Sequence, residues 1–453
     1  MTVTAKLDAP LLRTAFVLVL GPVLALLDTT IVGVGTGAIA RDLNAPLAGV
    51  RWVSAGYLLA IAVVMPLSGW AAERFGARRA WIASVALFVT GSALCGLAWS
   101  VESLVAFRVL QGLGGGLIQP LGQSILVRAA GPERLGRTIA VTLLPITFAP
   151  VLGPVAGGVL VEHLDWRWMF LVNVPIGAAT LLLAVRHLPR DDRTGNGARL
   201  DARGLALLSP GLAALVYGLS EAGTAGSGGR VTVALAAGAA LLAGYAAHAS
   251  RTATPLIDLR LFARREFAVA TANSFLQGAT LYSSMLLLPL YYQHVHHADA
   301  FDAGLLLAPQ ALGTAVATLA AGRLADRTGP RALVLTGVVL TLAGTVVFTR
   351  DAPSWLLVAA LVVRGVGLGV ATVPGMAAVY ASVDRALVPR AAGAVNALNR
   401  VGGSLGTAVL AVVLQERLNA RPAPAAFAGA FWWAVGLSAL TLLPAFLYPK
   451  GNS

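Results

Sequence analysis

Apolar residues fill this chain in runs of about 20, the length at which a helix crosses the hydrocarbon of a bilayer. Polar residues collect in short stretches between the runs. The runs lie near 14–38, 52–72, 80–99, 103–128, 137–161, 168–188, 203–222, 231–249, 267–292, 303–323, 332–349, 355–380, 391–415 and 428–448. Fourteen spans are therefore expected, and an even number puts both termini on one side. The first run is too long for the apolar region of a cleaved leader, so it reads as an uncleaved span.

The basic residues fix the orientation. Of 33 Lys and Arg, 23 fall in loops on the N-terminal side and 7 on the opposite side. The other three, Arg108, Arg364 and Arg400, lie inside spans. Positive loops stay in the cytoplasm, so both termini are expected there, with the chain multi-pass in a cell (inner) membrane.

Two landmarks recur along the sequence. Gly69, Glu73, Arg74, Gly76, Arg78 and Arg79 return as Gly322, Asp326, Arg327, Gly329 and Arg331, at 322 − 69 = 253. Arg108 with Gly112 and Gly114 returns as Arg364 with Gly365 and Gly367, read at 364 − 108 = 256. Such self-similarity marks duplicated halves. The expected fold is all-α and integral to the membrane. Two six-helix bundles, 1–190 and 266–453, stand in a pseudo-twofold relation. Between them, 191–265 holds a linker, two inserted helices and a cytoplasmic loop. Two rocking bundles suit a secondary transporter.

Composition narrows the classes. With 57% hydrophobic and 12% charged residues and a mean hydropathy of +0.78, the chain is too apolar for a soluble domain. The net charge of +13 belongs to membrane orientation, and no nucleic-acid partner is expected. Lys6 and Lys450 are the only lysines, so the body of the chain lacks a phosphate-binding loop. No Gly-x-Ser-x-Gly or His-Glu-x-x-His pattern appears, so no enzyme activity is expected. Cys95 stands alone, and His294, His296 and His297 lack spaced partner ligands, so no metal site is expected. No cofactor is expected either, the energy source being a proton gradient.

The spans carry further motifs: Leu27-Asp28-x-Thr30-Ile31-Val32, Arg108-x-x-Gln111-Gly112, Gly153-Pro154-x-x-Gly157-Gly158, the Trp166–Pro175 segment containing Asn173, and Asn399-Arg400-Val-Gly402-Gly403. Together with the 69–79 loop they resemble the major facilitator superfamily, and within it the fourteen-span drug:proton antiporter branch. The resemblance covers nearly the whole chain. It implies a proton-coupled exporter of drugs or antibiotics, with Arg108 and Gln111 in the coupling site, the Gly-Pro-x-x-Gly-Gly segment as antiporter motif and the 69–79 loop as a gate. Glu73 replaces the usual Asp, and Gly33 and Gly35-Thr36-Gly37 depart from the pattern after Asp28.

The residues support the same outline. A charge inside a span costs about 2.5–3.5 kcal/mol and marks function by default. Asp28 reads as a proton or cation site, or as one member of an interhelical pair. Arg108, Gly112, Gly115 and Gln119 share one helical face. Asn273, Gln277, Thr280 and Ser284 form a second polar stripe, and Asn396, Arg400, Gly403 and Thr407 a third. Such stripes line cavities or join helices by hydrogen bonds; Arg364 is open to both. The expected partners are a small amphipathic or cationic molecule, protons and the lipid bilayer, with a monomeric chain. An exporter of an endogenous metabolite, a self-made antibiotic or a lipid is the rival on the same fold. A non-transporting membrane sensor is the rival from another class.

Overall fold

The computed structural model describes residues 8–131, 134–191, 199–222, 228–384 and 386–448. No strand occurs among them. The N-terminal half comprises α1 (Ala9–Val34), α2 (Leu47–Val64), α3 (Ala77–Gly96), α4 (Val101–Ala130), α5 (Leu135–His163) and α6 (Asn173–His187). The inserted pair is α7 (Ala202–Glu221) and α8 (Gly228–Ala249). The C-terminal half comprises α9 (Arg265–Val295), α10 (Ala308–Val346), α11 (Ser354–Ala381), α12 (Val388–Ala420) and α13 (Ala423–Leu440).

Local chemistry sets the boundaries. Asp8 caps α1 by accepting from Leu11 N–H, and Ser100 caps α4 in a reciprocal box with Ser103; each satisfies amide groups a helix start leaves open. α2 continues through a 3-10 turn at Met65–Leu67 into a helix at Ser68–Phe75. Gly76 (φ 86°) then turns the chain into α3, and Gly329 (φ 74°) breaks α10 into two legs in the same way. Only glycine takes that conformation without strain.

Among the described residues twelve segments are long and apolar enough to cross a membrane, against the fourteen expected. The chain is thus a multi-pass membrane protein. The two remaining expected spans are also helical. α5 is apolar over the described stretch Leu135–Ala149. α9 runs for 31 residues and carries Asn273, Ser274, Gln277, Thr280, Ser283 and Ser284, which lower its hydropathy.

The duplicated halves are related by one register, 253, which corrects the 256 read for the second landmark. The close approaches of small residues reveal it. Gly114 lies against Ser84 and Phe88, and Gly367 against Gly337 and Thr341. Gly112 lies on Tyr57, and Gly365 on Gln310; Gly91 lies on Gln111, and Gly344 on Arg364. Each pair differs as 364 − 111 = 253. Arg364 therefore occupies the place of Gln111, not of Arg108, and Leu361 occupies that of Arg108.

The halves meet at the end that bears the basic loops. There a single core joins Leu18, Met65, Ile125 and Ile139 of one half to Val373, Tyr380 and Val388 of the other. At the opposite end the cores separate. One contains Ile31, Val53, Met169 and Phe170, and the other Tyr291, Phe348, Leu361 and Phe427. α5 packs on α10, and α12 on α4 and the Ser68–Phe75 helix; α7 bridges α2 and α12, with α8 outside it. Trp52, Trp99, Trp168 and Trp355 are exposed at the opposite end, as aromatic belts at a membrane surface are.

Candidate functional site

Asp28 sits in α1 with no solvent exposure. Two helices aim three donors at it. Arg108 of α4 donates from Nη1 to Oδ2 at 2.5 Å, Gln111 from Nε2 to Oδ1 at 2.8 Å, and Asn173 of α6 from Nδ2 to Oδ1 at 2.9 Å. Gln111 and Asn173 also donate to Ser92 of α3, at 2.5 and 3.3 Å. Arg108 is anchored further by Nε to the Val53 carbonyl at 3.1 Å and Nη1 to Gln111 Oε1 at 2.6 Å. Its guanidinium lies 4.0 Å from the Tyr57 ring centroid.

The arrangement suits a carboxylate. Every bond on Asp28 comes from a donor, so the ionised oxygens are matched by charge-assisted hydrogen bonds. A proton on Asp28 would set a new donor against donors and weaken the cluster. α4 reaches this place because its glycines let it lie close to two neighbours, Gly112 against α2 and Gly114 against α3.

Between the halves lies a cavity lined by Pro22, Gln119, Gln123, Ile146, Met376 and Tyr380 among others. Its lining side chains are apolar or neutral. The cavity floor is tied across the halves: Gln123 Oε1 accepts from Tyr380 Oη and from Asn396 Nδ2, each at 2.7 Å.

The loop motif lies below this floor. Arg390 of α12 donates from Nε and Nη2 to the two Glu73 oxygens, both at 2.7 Å. A Cβ on Gly69 would lie 3.0 Å from Arg390 Cα, so glycine there permits the approach. Arg78 donates from Nη2 to the Val185 carbonyl at 2.6 Å, and its backbone N–H donates to Asp191 at 3.1 Å. Arg74 and Arg79 are exposed. Gly322 packs on Gly136 and Ala140 of α5. Pro154, Asp326 and Arg327 lie outside the residues whose side chains are described.

Gly153 and Gly157 pack α5 on α1 at Thr30 and Ile31, one turn or less from Asp28. Gly158 faces open space. In the C-terminal half Arg364 is buried with neutral partners. It donates to Thr345 Oγ1 at 3.2 Å, to Gln310 Oε1 at 2.5 Å and to Ser284 Oγ. Asn273, Gln277 and Thr280 lie within the C-terminal bundle. Gln277 and Thr280 line a second cavity there, and Asn273 faces Gly375. Arg400 lies 5.6 Å from the Tyr282 ring centroid.

Sequence reasoning missed Ser92, Gln123, Tyr380 and the pairing role of Arg390. Asn173 was visible only within the Trp166–Pro175 resemblance. Arg390 was counted for orientation alone, and nothing in the periodicity of α3 separates Ser92 from its neighbours.

Comparison with known proteins gives a consistent picture. A model of the Major Facilitator Superfamily matches residues 18–308 and 267–452. A multidrug resistance protein B homolog of Mycobacterium tuberculosis is 40% identical over 422 residues, covering 91% of this chain and 78% of that one. The tetracenomycin C resistance and export protein of Streptomyces glaucescens is 33% identical over 412 residues, covering 90% and 76%. Among solved structures, the human organic anion transporter MFSD10 (TETRAN) superposes with a TM-score of 0.67 at 20% identity, over 97% of this chain and 100% of that one.

Proposed function

This chain belongs to the major facilitator superfamily, in its drug-efflux branch, and from that premise we propose that it is a proton-coupled antiporter exporting amphipathic or cationic drugs and antibiotics by alternating access. Transporters of this family are not enzymes, and they take small molecules within a membrane. The proton gradient is the energy source in this proposal, with no cofactor, and the chain works as a monomer. α5 and α9 count as spans, giving fourteen, and the basic end faces the cytoplasm of a cell (inner) membrane.

The observation that carries this reading is the Asp28 cluster. Four helices of one bundle converge on a carboxylate through Arg108, Gln111, Asn173 and Ser92. Protonation of Asp28 weakens that convergence, so proton binding and helix packing are linked. With the cytoplasmic end shut by Glu73–Arg390 and the Gln123 contacts, the arrangement fits a state that faces outward. A proton taken from outside then loosens the cluster, and rearrangement opens the inner side. The neutral cavity beside Gln119 and Gln123 accepts the apolar body of a drug.

Exchange of one proton for one monocation moves no net charge. The membrane potential, about 2.3 kcal/mol per charge per 100 mV, then drops out. The pH gradient drives export at about 1.4 kcal/mol per tenfold proton ratio.

The test is accumulation of a fluorescent lipophilic cation in inverted vesicles under an imposed pH gradient. Asp28→Asn is expected to abolish gradient-driven accumulation, a loss of at least about 100-fold on the scale of essential proton-transfer groups. Accumulation at the wild-type rate in that variant would remove Asp28 as the coupling group. A second reading, export of one self-made antibiotic, is favoured by the relative named for both resistance and export of tetracenomycin C. Transport of a single compound from a broad panel would select it.

A further inference from the structure

The two bundles fill their interiors differently. At the common register, Trp81, Phe88 and Ile118 of the N-terminal bundle correspond to Val334, Thr341 and Ala371 of the C-terminal bundle, as 341 − 88 = 253. Trp81 is fully buried, donates its indole N–H to the Ile118 carbonyl at 3.1 Å, and closes on Gly122. The N-terminal interior is thus solid and aromatic. In the C-terminal bundle three large groups become small ones, and side chains of α9 turn inward instead.

A small cavity results, bounded by Gln277, Thr280, Thr341, Leu368, Ala371 and Ser438 among others. Beside it, Asn273 Nδ2, Gln277 Nε2 and Tyr448 Oη converge on Gly375; a Cβ there would lie 3.3, 3.6 and 3.8 Å from them. Among the described residues, these three atoms, Asn273 Oδ1 and Thr280 Oγ1 have no hydrogen-bond partner in the protein. Asn273, Thr280 and Tyr448 are 1%, 5% and 3% exposed. Buried polar groups left in that condition are costly unless water or a ligand satisfies them.

We propose that this chamber binds ordered water, which satisfies the inward amides and hydroxyls. The chemistry selects water over an ion. The lining offers neutral donors and acceptors and no charged side chain. The space admits water, and Gln277 Nε2 and Thr280 Oγ1 supply the unpaired polar partners that buried water needs. Arg364 does not reach in directly, since Nε, Nη1 and Nη2 are engaged by Thr345, Gln310 and Ser284. Of those partners, Thr345 donates to the Thr341 carbonyl at 2.6 Å, and Ser284 to the Thr280 carbonyl at 2.6 Å; Thr341 and Thr280 both line the chamber.

X-ray radiolytic labelling of the full-length protein in nanodiscs, read by mass spectrometry, tests this. Radicals formed from bound water oxidise the side chains beside it. Tyr448 and Tyr57 make a matched pair, the same residue type and both buried. Tyr448 is expected to be oxidised at least tenfold faster than Tyr57. Ala371→Ile, which restores the side chain found at Ile118, is expected to cut Tyr448 labelling at least fivefold. If that variant does not fold, Thr341→Val keeps the volume, removes a hydroxyl, and should still slow labelling about twofold. Equal rates for the two tyrosines would overturn the proposal, and so would Tyr448 labelling untouched by the folded variants. Bromide located in this chamber by anomalous scattering would make it an anion site and overturn it as well.

Discussion

Each half of the molecule buries an arginine in its interior, but the two charges are handled by different means. In the N-terminal half Arg108 meets the carboxylate of Asp28, the amide oxygen of Gln111 and the Val53 carbonyl. In the C-terminal half Arg364, at the place of Gln111, meets only hydroxyl and amide oxygens. A duplicated scaffold has therefore kept its helix contacts while concentrating the titratable pair in one bundle. In the proposed mechanism one half responds to a proton, while the other presents a charge held by neutral partners.

The largest expected effect breaks this comparison directly. Arg108→Leu leaves a buried carboxylate without its cation, and losing one member of a buried pair costs about 3–5 kcal/mol. Arg364→Leu strands only neutral acceptors, at about 1–2 kcal/mol on the scale of lost hydrogen bonds. Thermal unfolding in one detergent should rank the two variants in that order. Adding Asp28→Asn to Arg108→Leu should restore part of the loss, whereas adding it to Arg364→Leu should not. Equal destabilisation by the two single variants would mean that the two charges are held in the same way.

The next effect concerns the latch between the halves. Glu73 and Arg390 are mostly buried, with two hydrogen bonds at 2.7 Å. Such charged, bidentate contacts contribute about 1.5–3 kcal/mol. Glu73→Gln keeps the shape and removes the charge. It is expected to raise the fraction open at the basic end about tenfold, within the range of allosteric coupling energies. Distances between spin labels on the Ser68–Phe75 helix and on α12 would report it. Unchanged distance distributions would assign the loop to orientation alone.

A smaller effect compares the two turn glycines. Gly76 and Gly329 both have positive φ, where a side chain adds about 1–3 kcal/mol of strain. At Gly76 an added Cβ would also meet the Asp191 carboxyl. Gly76→Ala should therefore lower thermal stability by more than the strain alone, and adding Asp191→Ala should return part of that excess.

The sequence made much of this comparison legible, and the failures are instructive. Apolar runs and basic loops identified a membrane protein in two similar halves, because hydrophobic length and charge asymmetry are read directly from residues. Asp28 and Arg108 stood out because charges in apolar runs are few. Ser92 and Asn173 did not, since a buried hydroxyl or amide costs little enough to occur for packing alone. The register error arose from matching arginine with arginine. Helix contacts are governed instead by the small residues at the crossings, so Gly112, Gly114 and Gly116 align with Gly365, Gly367 and Gly369. The span count differed where polar stripes dilute α9, a feature of its interior role.

The smallest effect asks whether charge pairing in the N-terminal half extends beyond the membrane interior. At its end away from the basic loops Asp42 accepts from Trp166 Nε1 and from Arg167 Nη1, both at 2.9 Å. The indole hydrogen bond first, and then the guanidinium, hold its carboxyl below the ordinary value. A depressed carboxyl contributes stability that is fully present above its unfolded value of 3.8. The contribution fades as pH falls through the lower folded value. Both side chains are partly exposed, so solvent screening keeps it below about 1 kcal/mol. Asp42→Asn should thus lower the melting temperature slightly and by a constant amount from pH 5 to 8. The gap to the unmodified protein should narrow only below pH about 4, where the native carboxyl protonates as well. A gap that instead changes between pH 6 and 8 would show that another group at this end titrates there. Charge pairing there would then not rest on Asp42 alone.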